Sequence, residues 1–571
     1  MRSPGNRTRF FPIITIQAHL DLSFKDGEFT ANFTKEYNQD MRKLELPGRS
    51  PVHSMNGMAA TSNPLSTMTA LRILQEGGNA MDAAIAACAV QCVVDPAMTG
   101  VGGDCFVLYA PEGKGDIIAY NGSGRAPAAA TVDWYLDNGI SEIDRFTPHA
   151  VTVPGAVDAW ATMSRDHGVL DLHEVLRPAI EFARDGYPVH ARCAVDWASN
   201  THTLSHDKHA KKRMLPGGTS PKEGDIHSQP DLADTLIHIA ERGRDGFYTG
   251  HIAKDIVSHL QELGGLHTLA DFAAAAGEYV TPISTNYRGY DVFECPPNGQ
   301  GIIALEILRI LSGYSFDDDE PLSARRLHIE AEASRLAYRD RDALVADPGL
   351  ARVPGNWMLS DAHIDELRGQ INLNSAMPQL PPVQMPTHAD TVYLCVVDKD
   401  RNAVSFINSL FKGFGSGIMS PKTGVMLHNR GCGFVVEPGH ANCIGPNKRP
   451  MHTIIPGMVV KDGRAVMPFG VMGGDYQATG HAHFISNLID FGLDIQESID
   501  LARIFPDPKS GVVDIESGVP QATVNALKAL GHKVGTPAMP HGGAQAIWID
   551  WEKGCLTGGS DPRKDGCALG Y

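Results

Sequence analysis

The sequence predicts a layered α/β protein whose central strands are covered on both faces. Three observations carry that expectation. Residues 391–397 are apolar at almost every position instead of alternating, the pattern of a strand buried on both sides. Residues 79–94 have a helical pattern with small side chains nearly all round, which marks a helix enclosed by its neighbours. The chain of 571 residues exceeds one ordinary core, so two lobes or one large layered domain are expected.

Residues 1–54 are polar and irregular and read as an N-terminal arm. The apolar run Phe10-Phe11-Pro12-Ile13-Ile14 is broken by proline and lacks a convincing cleavage site, so it is not read as a signal peptide. Asn63-Pro64 starts a helix with Asn as its cap and Pro in its first turn, and Leu65, Met68, Leu71 and Leu74 mark one face. Gly77-Gly78 ends it, and Asp95-Pro96 stops the second helix. Gly100-Val101-Gly102-Gly103 follows a helix and precedes a strand-like run, the reverse of what a dinucleotide fingerprint requires, so a tight turn is expected. Helical patterns dominate 165–275. There His202, His206 and His209 are spaced like metal ligands, but no carboxylate joins them and lysines crowd the segment, so a solvated loop is expected. Residues 290–295 read as a strand and 302–313 as a helix. A charged helix over 323–345 carries Glu332, Arg335, Asp340 and Arg341, which are read as surface or interlobe ion pairs. Residues 371–390 are proline-rich and polar and read as a linker.

Net charge is −17, from 66 acidic and 49 basic residues. That excludes a general nucleic-acid surface and leaves room for a local basic pocket that takes a carboxylate substrate. No apolar run reaches the roughly 18 residues of a membrane span. The ten cysteines include no Cys-x-x-Cys pair and sit largely in apolar runs, so buried thiols in a reducing, cytoplasmic setting are expected.

The linker leads directly to Asp390-Thr391. From there a β-hairpin is expected, folded about Asp400, with Thr391 opposite Ser409. Two hydroxyls would then meet at the open end of a buried hairpin. If the Asp390–Thr391 bond is cut, the new α-amine of Thr391 supplies a base with a pKa of about 7.7–8.0 beside its own hydroxyl nucleophile. The competing reading is a plain core hairpin that begins with Thr. Farther on, Gly473-Gly474 allows close backbone approach and offers the paired N–H donors that an oxyanion needs.

Taken together, these pieces resemble the γ-glutamyltransferase family of N-terminal-nucleophile hydrolases. The resemblance covers roughly 56–571. It is carried by Ala60-Thr61-Ser62-Asn63-Pro64-Leu65, Gly77-Gly78-Asn79-Ala80-Met81-Asp82-Ala83-Ala84, Glu332-Ala333-Ser334-Arg335-Leu336-Ala337-Tyr338, the hairpin, Phe414-Gly415-Ser416-Gly417 and Asp561-Pro562-Arg563. It implies a four-layer αββα sandwich with a helical lobe. It also implies self-cleavage between Asp390 and Thr391 into a large fragment, 55–390 with the arm, and a small one, 391–571, that stay associated. Thr391 would be the nucleophile, Ser409 its orienting hydroxyl, and Gly473 and Gly474 the oxyanion donors, with no metal or cofactor. At substrate-binding positions this chain departs from the transferases. Ser123 replaces an arginine, leaving Arg125 as the nearest cation. Phe411, Arg430 and Gly433 replace residues that hold an α-amino group, and His452 and Thr453 replace two serines. Those changes look like the branch that includes oxamate amidohydrolase.

The expected activity is hydrolysis of a small, carboxylate-bearing amide through an acyl-enzyme, with Arg430, Arg125, Phe411, His452 and Thr453 as substrate-binding residues. The alternatives are γ-glutamyl transfer or glutathione hydrolysis, and a processed but inactive binding protein. No nucleic-acid or membrane partner is expected. The oligomeric state stays open between one processed pair and a homo-oligomer of it.

Overall fold

The computed structural model describes residues 22–25, 28–31, 48–378, 380 and 391–571. The chain divides into Met1–Pro47 and Gly48–Tyr571. In the first unit Leu22–Lys25 pairs antiparallel with Glu28–Ala31. Asp390 and most of the expected linker lie outside the described residues.

Two seven-stranded sheets dominate the second unit. The first has the order Cys567–Gly570, Met58–Thr61, Val392–Val397, Ala403–Ser409, Asp104–Ala110, Ile118–Gly122 and Glu278–Val280, antiparallel throughout. The second has the order Ile283–Tyr287, Tyr290–Glu294, Gly457–Lys461, Arg464–Met472, Gly543–Asp550, Cys555–Ser560 and Val52–Ser54, also antiparallel. Val52–Ser54 lies inside the stretch expected to be an irregular arm.

The expected central hairpin forms in the expected register. Val392 pairs with Asn408 and Tyr393 with Ile407, which continues to Thr391 opposite Ser409. Both faces of the first strand are buried because each meets a different core. Val392, Leu394 and Val396 pack with the Ala-rich helix Ala80–Val94. Tyr393, Cys395 and Val397 pack against residues of the second sheet such as Met458, Val460 and Ile547. A third core joins the second sheet, through Phe469 and Val471, to the helices Gly301–Leu311, Ala324–Leu344 and Tyr476–Ile489.

Asn63 caps the helix Pro64–Gln75 by accepting the Leu65 N–H at 3.0 Å. Asn79 and Asp82 form a capping box on Ala80–Val94, a cap of the same kind as the one expected at Asn63. Two expectations need correction. His202, His206 and His209 lie in or between the short helices Thr201–Leu204 and Lys208–Met214, where the His206 ring stacks on Phe146 at 3.9 Å. The helix Ala324–Leu344 is largely buried rather than a surface rod: its length and charge suit a solvated face, but neighbouring helices such as Gly301–Leu311 and the short strands Ile504–Pro506 and Val513–Ile515 pack against it. The start of the linker is docked, with Met377 N–H donating to Glu332 at 2.7 Å and Ala376 N–H to the Leu530 carbonyl at 2.7 Å.

The sheets approach closely where Tyr393 meets Gly470. A Cβ added to Gly470 would lie 2.5 Å from the Tyr393 ring, and the Tyr393 hydroxyl is tied to Ser405 Oγ at 2.8 Å, so the ring has little freedom to yield. Gly470→Ala is expected to destabilise the fold by about 1–3 kcal/mol through overpacking, read as a lower denaturant midpoint at unchanged slope. An unchanged midpoint would mean that Tyr393 can step aside.

Candidate active site

Thr391 stands at the head of the central strand and is buried. Its Oγ1 lies 3.2 Å from Ser409 Oγ. Ser409 Oγ also accepts the Phe411 N–H at 2.8 Å, which directs the serine's own proton away from that backbone donor. A second side chain reaches the same hydroxyl: Gln477 Nε2 lies 3.5 Å from Thr391 Oγ1, while Gln477 Oε1 accepts the Ile455 N–H at 3.1 Å. That acceptor contact fixes which end of the amide faces Thr391.

Gln477 sits in the first turn of Tyr476–Ile489, just after Gly473 and Gly474. These glycines turn the chain with φ of 127° and 57°, a backbone shape that disfavours a side chain. Among the described residues neither glycine N–H is engaged, whereas the carbonyls are held: Gly473 O accepts from Tyr476 N–H, and Gly474 O accepts from Gln477 N–H and from Gln300 Nε2 at 3.0 Å. Gln300 in turn donates to Thr453 O at 2.8 Å and accepts from Arg341 at 3.0 Å. The Arg341 guanidinium also binds Asp475 Oδ1 at 2.6 Å, and Tyr338 Oη donates to the Asp475 carbonyl. Arg341, expected to make a surface or interlobe ion pair, is fully buried, pairs with Asp475 and supports this turn.

The cation at the site is Arg430. It is completely buried, with its guanidinium carbon 3.9 Å from the Phe411 ring centroid. One Nη donates to Thr453 Oγ1 at 2.9 Å, while Nε and the other Nη have no hydrogen-bond partner. Burial lowers its pKa to about 9, with Asp104 acting in the opposite sense, so it stays charged at neutral pH. Asp475 is bound to Arg341 instead, and no carboxylate lies within ion-pair distance of Arg430 among the described residues. Each unmade hydrogen bond of a buried group costs about 1–3 kcal/mol. Phe411, which faces this guanidinium, has φ of 79°, an uncommon conformation of the kind that concentrates at functional sites.

Asp104 was not anticipated. It lies opposite Ser409 on the neighbouring strand and accepts N–H groups from Gly124 at 2.9 Å and Gly155 at 3.1 Å. Its other oxygen faces His452 Nε2 at 3.0 Å. Although burial alone would raise its pKa, His428, His452 and Arg430 hold it well below the ordinary carboxylate range. His452 is pushed down to about 3, by burial first and Arg430 second, and is neutral. Its Nδ1 accepts the Ile454 N–H at 3.3 Å, so neither ring nitrogen is left for a substrate. His452, expected to bind substrate, is here the hydrogen-bonded partner of Asp104. Arg125 also differs from expectation. Its side chain contacts Asp347 at 3.4 Å, the Asn447 carbonyl at 3.0 Å and Glu278 at 3.7 Å, and the structure does not bring it into the Thr391–Arg430 group. Ser123 is buried and bonded to Asn121 at 2.7 Å.

Thr391, Ser409, Phe411, Arg430, Thr453, Gln300, the glycine turn and Gln477 thus form a closed ring of contacts. The arrangement places a hydroxyl, two adjacent glycine N–H groups and a buried cation together, a set that acyl-transfer chemistry can use. Gln477, Gln300 and Asp104 were missed because their sequence neighbourhoods carry no chemical pattern. Only pairing across the sheets brings them here.

The chain was compared with known proteins. The family model described as Gamma-glutamyltranspeptidase matches residues 66–571. The Glutathione hydrolase-like YwrD proenzyme of Bacillus subtilis (strain 168) is 38% identical over 523 residues, 90% of this chain and 98% of that protein. The Oxamate amidohydrolase proenzyme of Klebsiella pneumoniae is 35% identical over 541 residues, 91% of this chain and all of that protein. Among solved structures, cephalosporin acylase from Bacillus halodurans superposes with a TM-score of 0.86 at 37% identity, covering 95% of this chain and 99% of that one. The chain belongs to the gamma-glutamyltranspeptidase family and is an amidohydrolase or γ-glutamyltransferase-like enzyme.

Proposed function

We propose that this enzyme cuts its own chain before Thr391 and then hydrolyses a small amide bearing a carboxylate, with Thr391 as nucleophile. The observation that carries the proposal is the combination of the Thr391–Ser409 contact with the unpaired N–H groups of Arg430. In the proposed cycle the Thr391 α-amine accepts the hydroxyl proton, and Oγ1 attacks the amide carbonyl. The Gly473 and Gly474 N–H groups receive the oxyanion. The C–N bond breaks, the leaving amine takes the proton, and an ester to Thr391 remains. Water then attacks that ester and restores the hydroxyl. Ser409 and Gln477 orient the nucleophile.

Arg430 supports the choice of substrate. A substrate carboxylate can accept a charge-assisted pair from its unbonded N–H groups, whereas an α-ammonium would meet a buried like charge. The Phe411 ring covers the opposite side and keeps the pocket short and dry. The similarity to an oxamate amidohydrolase supports an oxamate-like amide. The same reading takes the fold as the four-layer αββα arrangement with a helical lobe, supported by three cores stacked helix to sheet, sheet to sheet and sheet to helix. It also takes the two fragments as remaining together, supported by the proenzyme names of the relatives.

Purified protein is expected to run as two bands on a denaturing gel. The smaller would have 571 − 390 = 181 residues and Thr as its first Edman residue, while Thr391→Ala would stay intact. An intact wild-type chain that still turns over substrate would sink the mechanism.

Ser409→Ala removes the side chain that faces Thr391 Oγ1. It should raise the barriers to self-cleavage and turnover by about 2–4 kcal/mol, by analogy with the loss of an oxyanion donor, with circular dichroism unchanged. Rates equal to wild type would deny Ser409 an orienting role.

For substrate choice, oxamate-like amides are expected to turn over faster than γ-glutamyl-p-nitroanilide. Arg430→Gln should raise KM for the acid amide while self-cleavage continues. Efficient transfer from γ-glutamyl donors to dipeptide acceptors by the wild type would reject the carboxylate reading and favour γ-glutamyl transfer.

A further inference from the structure

Away from Thr391, three helices bring a second set of reactive groups to one point. Glu306 comes from Gly301–Leu311, Asp340 from Ala324–Leu344 and His363 from Asp361–Gln370. His363 Nε2 lies 2.6 Å from Asp340 Oδ2 and 3.2 Å from Glu306 Oε1, and one ligand atom from each residue lies within 4.8 Å of the others. Glu306 is completely buried, His363 is 4% exposed and Asp340 7%. Two polar atoms of this buried group have no partner: Glu306 Oε2 and His363 Nδ1. The Trp357 ring lies 3.9 Å from the imidazole and fixes its plane. Among the described residues one cation touches the group, Arg339 at 3.3 Å from the outer oxygen of Asp340.

We propose that Glu306, Asp340 and His363 form a binding site for a divalent transition-metal ion of the Zn2+ or Mn2+ class. Two carboxylates and one imidazole converge on one buried point, and a divalent ion there would pair with both carboxylates. One nitrogen and two oxygens suit such an ion. Ligand distances of about 2.0–2.2 Å require only a small opening of the present 2.6 Å and 3.2 Å contacts. On binding, the proton between His363 Nε2 and Asp340 and the proton held on the Glu306 carboxyl both leave to solvent. The nitrogen lone pair turns to the ion, the remaining proton sits on Nδ1, and water completes the coordination through the slightly exposed Asp340 side. Asp340 precedes Arg341, which supports the Gly473–Gly474 turn through Gln300 and Asp475, so the ion would clamp three helices behind that turn.

The other candidate, His328, Glu332 and His532, is already closed. His328 Nδ1 faces His532 at 2.7 Å and its Nε2 faces the Asn372 carbonyl at 2.9 Å. The Glu332 oxygens are taken by Arg335 at 2.8 Å and by the Met377 N–H at 2.7 Å.

The test uses the purified full-length protein, stripped with chelator, dialysed against Zn2+ or Mn2+ and analysed by elemental mass spectrometry, with melting temperature followed in parallel. About one ion per chain and a higher melting temperature are expected for the wild type. Glu306→Gln and His363→Gln should lose affinity by at least the roughly 10–100-fold that loss of a mere outer-shell partner costs, while His532→Gln binds as wild type. Should the first two variants fail to fold, Co2+ added to the wild type reports instead, through visible absorption bands characteristic of mixed nitrogen and oxygen ligation. No stoichiometric uptake by the wild type, no Co2+ bands, or equal uptake by a folded His363→Gln variant would each overturn the proposal and leave a proton-sharing cluster.

Discussion

The register of the central hairpin is the constraint on which the rest depends. A slip of one residue turns every side chain of a strand to the opposite face. Most strands resist this by having one polar face, but this one is apolar on both, so hydrophobic pattern alone cannot fix it. Shape and hydrogen bonds do. Tyr393 fits against the bare backbone of Gly470 and holds Ser405 on the paired strand. At the far end Asp398 closes the turn by accepting N–H groups from Asp400 and Asn402, both at 3.0 Å, and it reaches across to the Ala80 N–H at 2.9 Å. With both ends pinned, Thr391 can face only Ser409.

The second sheet then positions the glycine turn and Gln477 beside that hydroxyl. The strand Arg464–Met472 runs into the Gly473–Gly474 turn and the helix that carries Gln477. The turn is held through its carbonyls and through Asp475, which leaves its N–H groups aimed elsewhere. Buried polar networks of this kind are stable only when nearly every member is satisfied, and here the members that break the rule include one Nη of Arg341 and both the Nε and one Nη of Arg430. A fold that satisfies Asp104 with two backbone amides and an imidazole has evident means to pair a charge, so an arginine left short of two partners beside Thr391 stands out.

What the sequence made legible follows from range. The helix caps at Asn63 and Asn79, the two-faced strand and the Thr391–Ser409 pairing are set by residues close in sequence, and each could be read from a local pattern. Arg341 makes an ion pair, as a charge on such a helix is expected to, but nothing local tells that its helix is buried. His452 and Arg125 were placed by correspondence with a family position, but their neighbours Asp104, Asp347 and Glu278 engage them in ways that a position alone does not encode. Gln477 and Gln300 are neutral amides in ordinary contexts, informative only once Ile455 N–H and the Gly474 carbonyl are seen beside them. Glu306, Asp340 and His363 are 34 and 23 residues apart (340 − 306 and 363 − 340) on separate helices, a spacing that matches no metal-binding signature.

The neighbours of the hairpin have a consequence for the life of the molecule. The strands that flank it, Met58–Thr61 and Asp104–Ala110, both lie upstream of Thr391, and Asp398 holds the start of a helix 318 residues away in sequence. With the backbone severed before Thr391, the small piece would be threaded between strands of the large one, and no covalent link would guide it back. Such distant pairings form slowly even within one chain. The working state would then be reachable only from the unbroken polypeptide. Its persistence would be set by how slowly it opens and not by a balance with an unfolded pool: once lost, the shape could not be recovered, only made again.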